Sequence, residues 1–221
     1  MKNIFLLDAD ETLFDFSRSE RESLFRALNT EREDILTRFH AINDSLWKKL
    51  ERGEIEKPRL LVTRFVLLSE EFSLGLDVNK TSEAYLNFMA ESGIYVDGAE
   101  EFLEKLQARG ECYLVTNGSA RIQRGRIAKT GISRFLKGIF ISEEIGAYKP
   151  SKAYTDYVTA HIPNFAAERA VWLGDSLTSD MLSAKNAGVD FILFAPKGVP
   201  EGYCGMVARS FEEAFSLISR R

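Results

Sequence analysis

Two aspartates near the start of the chain, Asp8 and Asp10, have a spacing that could do chemistry. They follow the apolar run 4–7, Ile-Phe-Leu-Leu, which predicts a short strand buried on both faces of a parallel sheet. Ligands of such sheets collect at the carboxyl ends of the strands, and alternation along an extended chain sends both carboxylates to one side. The pair could share a cation or divide the roles of acid and nucleophile. Equally, it could be a polar turn that ends a strand.

A hydroxyl and an amide, Thr116 and Asn117, follow a second apolar run at 113–115. Gly118 and Ser119 come next and would open a helix. Side-chain and backbone donors at such a position can hold phosphate oxygens. The same residue types are also typical of an ordinary helix N-cap, so both interpretations stay open.

Charged residues follow two further predicted strands. Lys149 precedes Pro150, which stiffens the backbone and could aim the lysine at the site as a point charge. Asp175 lies in a Gly-Asp-Ser turn and offers the oxygen ligand that Mg²⁺ prefers. Asp180 comes five residues later, where it could belong to the same site or act as a favourable charge at the start of a helix.

The spacing of apolar residues predicts two kinds of structure. After Gly93 helices alternate with short apolar strands, which implies right-handed crossovers and a parallel α/β sheet. Residues 15–93 show helical spacing throughout and no convincing strand. The predicted strands are 4–7, 112–115, 139–141, 170–173, 191–194 and a short one at 207, and the predicted helices of the second half are 99–109, 119–129, 151–160, 178–186 and 211–218. We therefore predict a core domain of residues 1–14 and 94–221 with an all-helical domain of residues 15–93 inserted in it.

The composition is that of an ordinary globular protein. The chain has 221 residues, of which 45% are apolar and 28% charged, with a net charge of −4. This charge gives no general attraction to nucleic acid polymers or anionic membranes, so an anionic substrate would need local cations or a metal. Two cysteines, Cys112 and Cys204, indicate a reducing compartment, with Cys112 as a small core residue. With no signal-peptide pattern and no long apolar stretch, we expect a cytoplasmic protein, either a monomer or a homodimer.

Taken together, four motifs resemble those of the haloacid dehalogenase superfamily. They are Asp-x-Asp-x-Thr from Asp8, Thr-Asn-Gly from Thr116, Lys-Pro at Lys149, and Gly-Asp-Ser-x-x-x-Asp around Asp175. The resemblance covers the whole chain and implies a Rossmann-like core with a cap domain. The inserted segment 15–93 matches the helical-cap subgroup of that family.

The resemblance implies a role for each acidic residue in a phosphoryl transfer. Asp8 would be the nucleophile that forms an aspartyl-phosphate, and Asp10 would protonate the leaving oxygen and then deprotonate the hydrolytic water. Mg²⁺ would be held by Asp8, Asp175, the backbone carbonyl of Asp10 and water. Asp180 would hold either Lys149 or a metal-bound water.

The transferring phosphate oxygens would be bound by Thr116 and Lys149, helped by Asn117. Because a halide leaving group needs no acid, the presence of Asp10 argues against dehalogenation. The insert offers no clear Schiff-base lysine for phosphonate cleavage. A phosphomutase stays open, since it differs mainly in how the cap excludes water.

A closer resemblance concerns the substrate. Ala9 and Glu11 within the first motif, the 42–47 segment Ile-Asn-x-x-Leu-Trp and Arg64-Phe65 look similar to the YjjG-type pyrimidine 5′-nucleotidases. This similarity implies a nucleoside 5′-monophosphate as substrate. The alternative substrates are a sugar phosphate and phosphoglycolate. The alternative to an enzyme is a binding module that kept the fold without activity.

Three residues of the predicted cap are candidates for substrate contact. Asn43 and Trp47 lie one helical turn apart, so that Trp47 could stack on a base while Asn43 hydrogen-bonds it. Trp47 could instead pack inside the cap. Arg64 could meet a phosphate or ribose, or form a surface ion pair.

Overall fold

The structure, a computed structural model, describes residues 2–220, apart from the side chain of Glu51. The chain forms two compact units. One unit contains the residues up to Phe16 together with those from Gly93 onward, and the other contains Ser17–Ser92.

Within the described residues, the first unit holds one sheet of six parallel strands in the order β3-β2-β1-β4-β5-β6. The strands are β1 (Ile4–Leu7), β2 (Glu111–Thr116), β3 (Leu136–Ile141), β4 (Ala170–Gly174), β5 (Asp190–Phe194) and β6 (Met206–Ala208). Strand β1 lies in the middle, hydrogen-bonded to β2 on one side and β4 on the other. The carboxyl ends of these three strands therefore meet at one edge.

The second unit is helical, and three of the four helices in its described residues contribute to an aromatic core. The four helices are α1 (Phe16–Leu28), α2 (Glu33–Glu51), α3 (Lys57–Phe72) and α4 (Val78–Glu91). Phe39, Phe65 and Tyr85 come from three different helices, and their ring centroids lie 5.1–5.6 Å apart. Tilted and edge-to-face pairs at this distance stabilise a helical core beyond simple area burial.

Helices cover both faces of the sheet. The α-helices of the first unit are α5 (Ala99–Gln107), α6 (Ala120–Thr130), the four-residue α7 (Ser142–Ile145), α8 (Lys152–Ala160), α9 (Asp180–Ala187) and α10 (Phe211–Ser219). Alternation along β1 sends Phe5 and Leu7 into the core under α5, α6 and α10, and Ile4 and Leu6 into the core under α8 and α9. Burying each of these side chains contributes roughly 1.5–3 kcal/mol. None of the helices in residues 2–220 is long and apolar enough to span a membrane.

The predicted fold class, a parallel α/β core with a helical insertion, is confirmed. Helix α7 was not predicted, because four residues are too few to show a periodicity. Helix α5 ends at Gln107, two residues before the predicted end at 109. At Gly110 a Cβ would lie 2.2 Å from the backbone oxygen of Asn3, so glycine lets these two segments approach closely.

The two thiols should differ sharply in reactivity. Cys112 is buried in β2, and burial raises its pKa to about 12, whereas Cys204 is exposed. Because the thiolate is the nucleophile, we expect the folded protein to titrate one thiol with an aromatic disulfide reagent, and two after denaturation in urea. Cys204→Ser should show no fast reaction in the folded state. Rapid labelling of that variant would contradict the burial of Cys112.

Candidate active site

Three acidic side chains converge at the carboxyl edge of the central strands. Asp8 directly follows β1, Asp175 directly follows β4, and Asp180 is the first residue of α9. The Asp8 N–H donates to the Leu173 carbonyl over 2.9 Å, which extends the pairing of β1 with β4 by one residue. Each aspartate offers a carboxylate oxygen, and the three oxygens lie within 4.8 Å of one another. The register of neighbouring strands thus builds the cluster from distant parts of the sequence.

A single ammonium group lies inside this cluster. The Nζ atom of Lys149 donates to Asp8 Oδ1 at 2.5 Å, to Asp180 Oδ1 at 2.6 Å and to the Val115 carbonyl at 3.1 Å. All three donor positions of the ammonium are therefore used. Lys149 is 2% exposed, which a lysine tolerates only when it is paired in this way.

Further donors fix Asp180. Its Oδ1 also accepts from the indole N–H of Trp172 at 3.1 Å, and its Oδ2 accepts from the Ser176 N–H at 3.2 Å. Asp180 is almost fully buried, and a Cβ at Gly174 would lie 2.3 Å from its carboxylate. Glycine in the Gly-Asp-Ser turn therefore leaves room for Asp180. Asp180 accepts a hydrogen bond from Lys149, so it belongs to the same site as the other strand-end residues. It is also the first residue of helix α9.

The side chain of Asn117 orients the lysine. Its amide nitrogen donates to the Lys149 carbonyl at 2.9 Å, and its amide oxygen accepts from the Lys149 N–H at 2.7 Å. This pair of bonds holds the backbone at residue 149, across the end of the sheet. The amide is thus engaged with the backbone of Lys149, and the help that Asn117 gives to phosphate binding stays a prediction.

Electrostatic effects in the cluster oppose each other. Burial and the nearby charge of Asp180 raise the pKa of Asp8, and the attraction of Lys149 does not cancel them. Burial alone would lower the pKa of Lys149, but Asp180 and Asp8 outweigh it, so this pKa lies above its ordinary value. Desolvation, followed by repulsion from Asp180, raises the pKa of Asp175 to about 7. The cluster holds more negative charge than one ammonium can balance.

The donor set fits a hard divalent cation. Three carboxylates within 4.8 Å of one another supply oxygen ligands, and a single ammonium leaves the site with excess negative charge. Mg²⁺ prefers oxygen ligands of this kind and is usually bound through one or two carboxylates. Asp8 and Asp175 could hold it directly, with Asp180 beside them.

Asp10 has different partners from Asp8. Its carboxylate accepts from the Gln123 amide at 2.8 Å and forms an ion pair with the Arg126 guanidinium. Gln123 also donates to Thr116 Oγ1 at 3.2 Å. The two aspartates of the first motif therefore divide: Asp8 faces the lysine, and Asp10 faces helix α6.

Gln123 and Arg126 were missed by sequence reasoning. Both are fully buried, although glutamine and arginine are usually exposed. Helix α6 carries three arginines, at 121, 124 and 126, and nothing local distinguishes them. The only signal was that Gln123 and Arg126 lie three residues apart in the helix that follows the Thr-Asn-Gly motif, which puts them on one face of that helix.

The predicted cap residues lie as follows within the helical unit. Asn43 and Arg64 are 4% and 3% exposed, and Arg64 Nη1 donates to Asn43 Oδ1 at 3.0 Å. The Asn43 amide donates in turn to the buried Glu20 at 3.0 Å. The surface ion pair considered for Arg64 is wrong, because its guanidinium lies 4.5 Å from the Tyr85 ring centroid in the core. Trp47 is half-buried, with the Lys57 ammonium 5.5 Å from its ring centroid.

The fold is a parallel α/β sheet with an acidic cluster at the carboxyl ends of its strands, and comparison with known proteins identifies the family. A family model described as haloacid dehalogenase-like hydrolase matches residues 2–188. The chain belongs to this family, as the motifs indicated.

Several relatives align over most of their length. The HAD-hydrolase YfnB of Bacillus subtilis is 32% identical over 97% of this chain and 94% of its own. The pyrimidine 5′-nucleotidase PynA of Streptococcus pneumoniae is 33% identical over 86% and 83%. The pyrimidine 5′-nucleotidase YjjG of Escherichia coli is 32% identical over 82% and 81%.

Solved structures agree with this assignment. The crystal structure of YfnB, bound to magnesium, matches with a TM-score of 0.89 over 98% of both chains. L-2-haloacid dehalogenase from Xanthobacter autotrophicus matches with a TM-score of 0.80 at 15% identity, over 100% of this chain and 99% of its own, which shows a shared fold.

Magnesium should raise the melting temperature more at pH 8 than at pH 6. The pKa of Asp175, about 7 in the folded protein, lies above its unfolded value of ~3.9. The stability from this group is therefore present below the unfolded value and lost as the pH rises through about 7. Since Mg²⁺ binds the carboxylate form, we expect its shift in melting temperature to grow by a few degrees at the higher pH, measured by thermal denaturation.

Asp175→Asn is the matched variant for this measurement. It keeps the shape of the side chain but removes the titrating group, so most of the magnesium-induced shift and its pH dependence should disappear. An equal shift at both pH values in the unaltered protein would contradict the assignment.

Proposed function

We propose that this protein is a magnesium-dependent phosphomonoesterase that acts on nucleoside 5′-monophosphates, pyrimidine nucleotides among them, through an aspartyl-phosphate on Asp8. The observation that carries the proposal is the buried pairing of Asp8 with Lys149 beside Asp175 and Asp180, in a chain of the haloacid dehalogenase-like family. Two relatives that align over most of the chain bear the name pyrimidine 5′-nucleotidase, which supports the substrate class.

In the first step Asp8 attacks phosphorus. Lys149 holds its Oδ1, while Oδ2 accepts a long bond of 3.5 Å from Thr12 and is the more weakly held oxygen. We assign the attack to Oδ2. A carboxylate fixed in place by a buried ammonium loses little freedom on reaction, which lowers the entropic part of the barrier.

Asp10 moves the protons. As the bond from phosphorus to the leaving oxygen breaks, the Asp10 carboxyl group donates its proton to that oxygen. The resulting carboxylate then accepts a proton from the water that attacks the aspartyl-phosphate, which releases phosphate and restores Asp8. The separate partners of Asp8 and Asp10 suit this division of roles.

Lys149 and Thr116 would bind the transferring oxygens. The Thr116 hydroxyl accepts from the Gly118 N–H at 3.1 Å and from Gln123, which leaves its own hydrogen to donate to a phosphate oxygen. Asn117 contributes by orienting Lys149. Mg²⁺, held by Asp8, Asp175 and the Asp10 carbonyl near Asp180, would screen the repulsion between anionic nucleophile and anionic phosphate.

The helical segment 15–93 acts as the cap of the core formed by residues 1–14 and 94–221 in this proposal. Trp47 is half-buried, and the part of its ring that remains accessible could stack on a base. Asn43 and Arg64 are engaged with each other, yet Arg64 Nη2 is buried and has no hydrogen-bond partner within residues 2–220. A substrate acceptor would satisfy that donor, since buried polar groups are normally bonded.

A screen of phosphorylated metabolites tests the proposed activity. We expect magnesium-dependent release of phosphate from pyrimidine 5′-monophosphates, and its loss when a chelator is added. Preference for a sugar phosphate or phosphoglycolate would contradict the nucleotide assignment, and an isomerised product without free phosphate would identify a phosphomutase. No turnover of any ester, including an aryl phosphate, would support a binding module.

Asp8→Asn should lower turnover roughly a thousandfold or more, because an amide cannot act as the nucleophile. Phosphate release is the measurement. Asp190→Asn is the matched control: it removes a carboxylate that pairs with Lys2 at the start of β5, away from the site, and should leave turnover unchanged. Substantial turnover by the Asp8 variant would refute the nucleophile assignment.

Trp47→Ala should raise KM for a pyrimidine nucleotide about tenfold, since stacking of a base on an aromatic ring contributes ~1–3 kcal/mol. Trp47→Phe should keep most of the affinity. The KM for a small aryl phosphate serves as the reference, because general damage to the helical unit would raise both. A nucleotide KM unchanged by the alanine variant would show that Trp47 only packs.

A further inference from the structure

Two buried polar side chains of helix α6 bind both oxygens of Asp10. The Gln123 amide nitrogen donates to Oδ2 at 2.8 Å, and the Arg126 guanidinium pairs with Oδ1. Both side chains are fully buried. Because they are three residues apart, they project from the same face of the helix and reach the carboxylate together.

The surroundings of Arg126 are built for this contact. Its guanidinium carbon lies 5.0 Å from the ring centroid of Phe14, four residues after Asp10. A buried guanidinium is costly unless a carboxylate pairs with it. The planar group, held against a ring on one side, has a fixed direction in which it can donate.

Gln123 joins Asp10 to the second motif. The same amide nitrogen that binds Asp10 also donates to Thr116 Oγ1 at 3.2 Å. A Cβ at Gly118 would lie 2.2 Å from this nitrogen, so glycine in the Thr-Asn-Gly motif is required for Gln123 to occupy its place. One side chain thus fixes the distance between the proton donor and a phosphate-binding hydroxyl.

We propose that Gln123 and Arg126 are positioning residues that hold the Asp10 carboxyl group in line with the leaving oxygen. This inference rests on the proposed function. In the step concerned Asp10 starts protonated, and Gln123 and Arg126 donate to lone pairs of its oxygens that the proton does not occupy. The bond from Asp8 to phosphorus forms, the bond from phosphorus to the leaving oxygen breaks, and the Asp10 proton moves to that oxygen. The negative charge that then develops on Asp10 faces the guanidinium and the amide, which stabilises the transition state.

The dependence of the rate on the leaving group distinguishes a positioning role of Gln123 and Arg126 from a purely structural one. An alkoxide such as the 5′-oxygen of a nucleoside needs a proton as it leaves, whereas 4-nitrophenolate leaves readily without one. A misplaced Asp10 should therefore slow the release of a nucleoside far more than the release of nitrophenolate. Damage to the fold or to Asp8 would slow both alike.

The experiment compares Gln123→Met and Arg126→Met with the unaltered protein in single-turnover reactions with uridine 5′-monophosphate and 4-nitrophenyl phosphate. Single turnover isolates the first step, because Asp10 also serves as base in the second. We expect nucleoside release to slow more than about tenfold, and nitrophenolate release less than about threefold. Arg126→Lys should recover part of the nucleoside rate, since it keeps a charge but loses the planar group.

Arg124→Met is the matched control on the same helix. Arg124 pairs with Glu144 on the exposed side of α6, so its loss should leave both rates unchanged. Equal slowing of both leaving groups in the Gln123 and Arg126 variants, or no slowing, would overturn the inference. If Arg126→Met does not fold, the neutral Gln123→Met decides the matter alone. Failure of the unaltered protein to cleave either ester would instead refute the proposed function.

Discussion

The structure depends on one buried ammonium group among carboxylates. Lys149 contacts Asp8, Asp180 and the end of β2, and so joins three separate stretches of the chain at one point. Such a charge is tolerated in the interior only if every donor is matched, and here each is. The same contacts that make the lysine stable also hold the proposed nucleophile still. Stability and chemistry rest on one arrangement.

That arrangement lies at the carboxyl edge of the parallel sheet. Strand β1 is short and wholly apolar, so its residues bury on both faces and its register with β2 and β4 is fixed. The polar residues that follow these strands are then forced together. Trp172 and Asn117 then fix the positions of these polar residues by hydrogen bonds, Trp172 to Asp180 and Asn117 to the backbone of Lys149. The apolar core thus places the polar site.

The division between Asp8 and Asp10 is the second consequence. Two residues apart in sequence, they sit in different electrostatic surroundings, one against an ammonium with other carboxylates, one against a guanidinium and an amide. A pair of carboxyl groups with distinct partners can perform distinct tasks, as the proposed function requires of Asp8 as nucleophile and Asp10 as proton donor. Helix α6 is therefore as much a part of the site as the strand ends.

Sequence alone determined the alternation of strands and helices, the helical character of the insertion and the four polar strand ends. These features depend on apolar periodicity and turn residues, which involve only residues close together in the sequence. It also led to the family. It did not determine which of three arginines in α6 is buried, that Asn117 serves Lys149, or that Arg64 lies among aromatic rings rather than at the surface. Those outcomes depend on partners distant in sequence, 116 residues away for Arg126 and Asp10, and only the packing of the folded chain brings them within bonding distance.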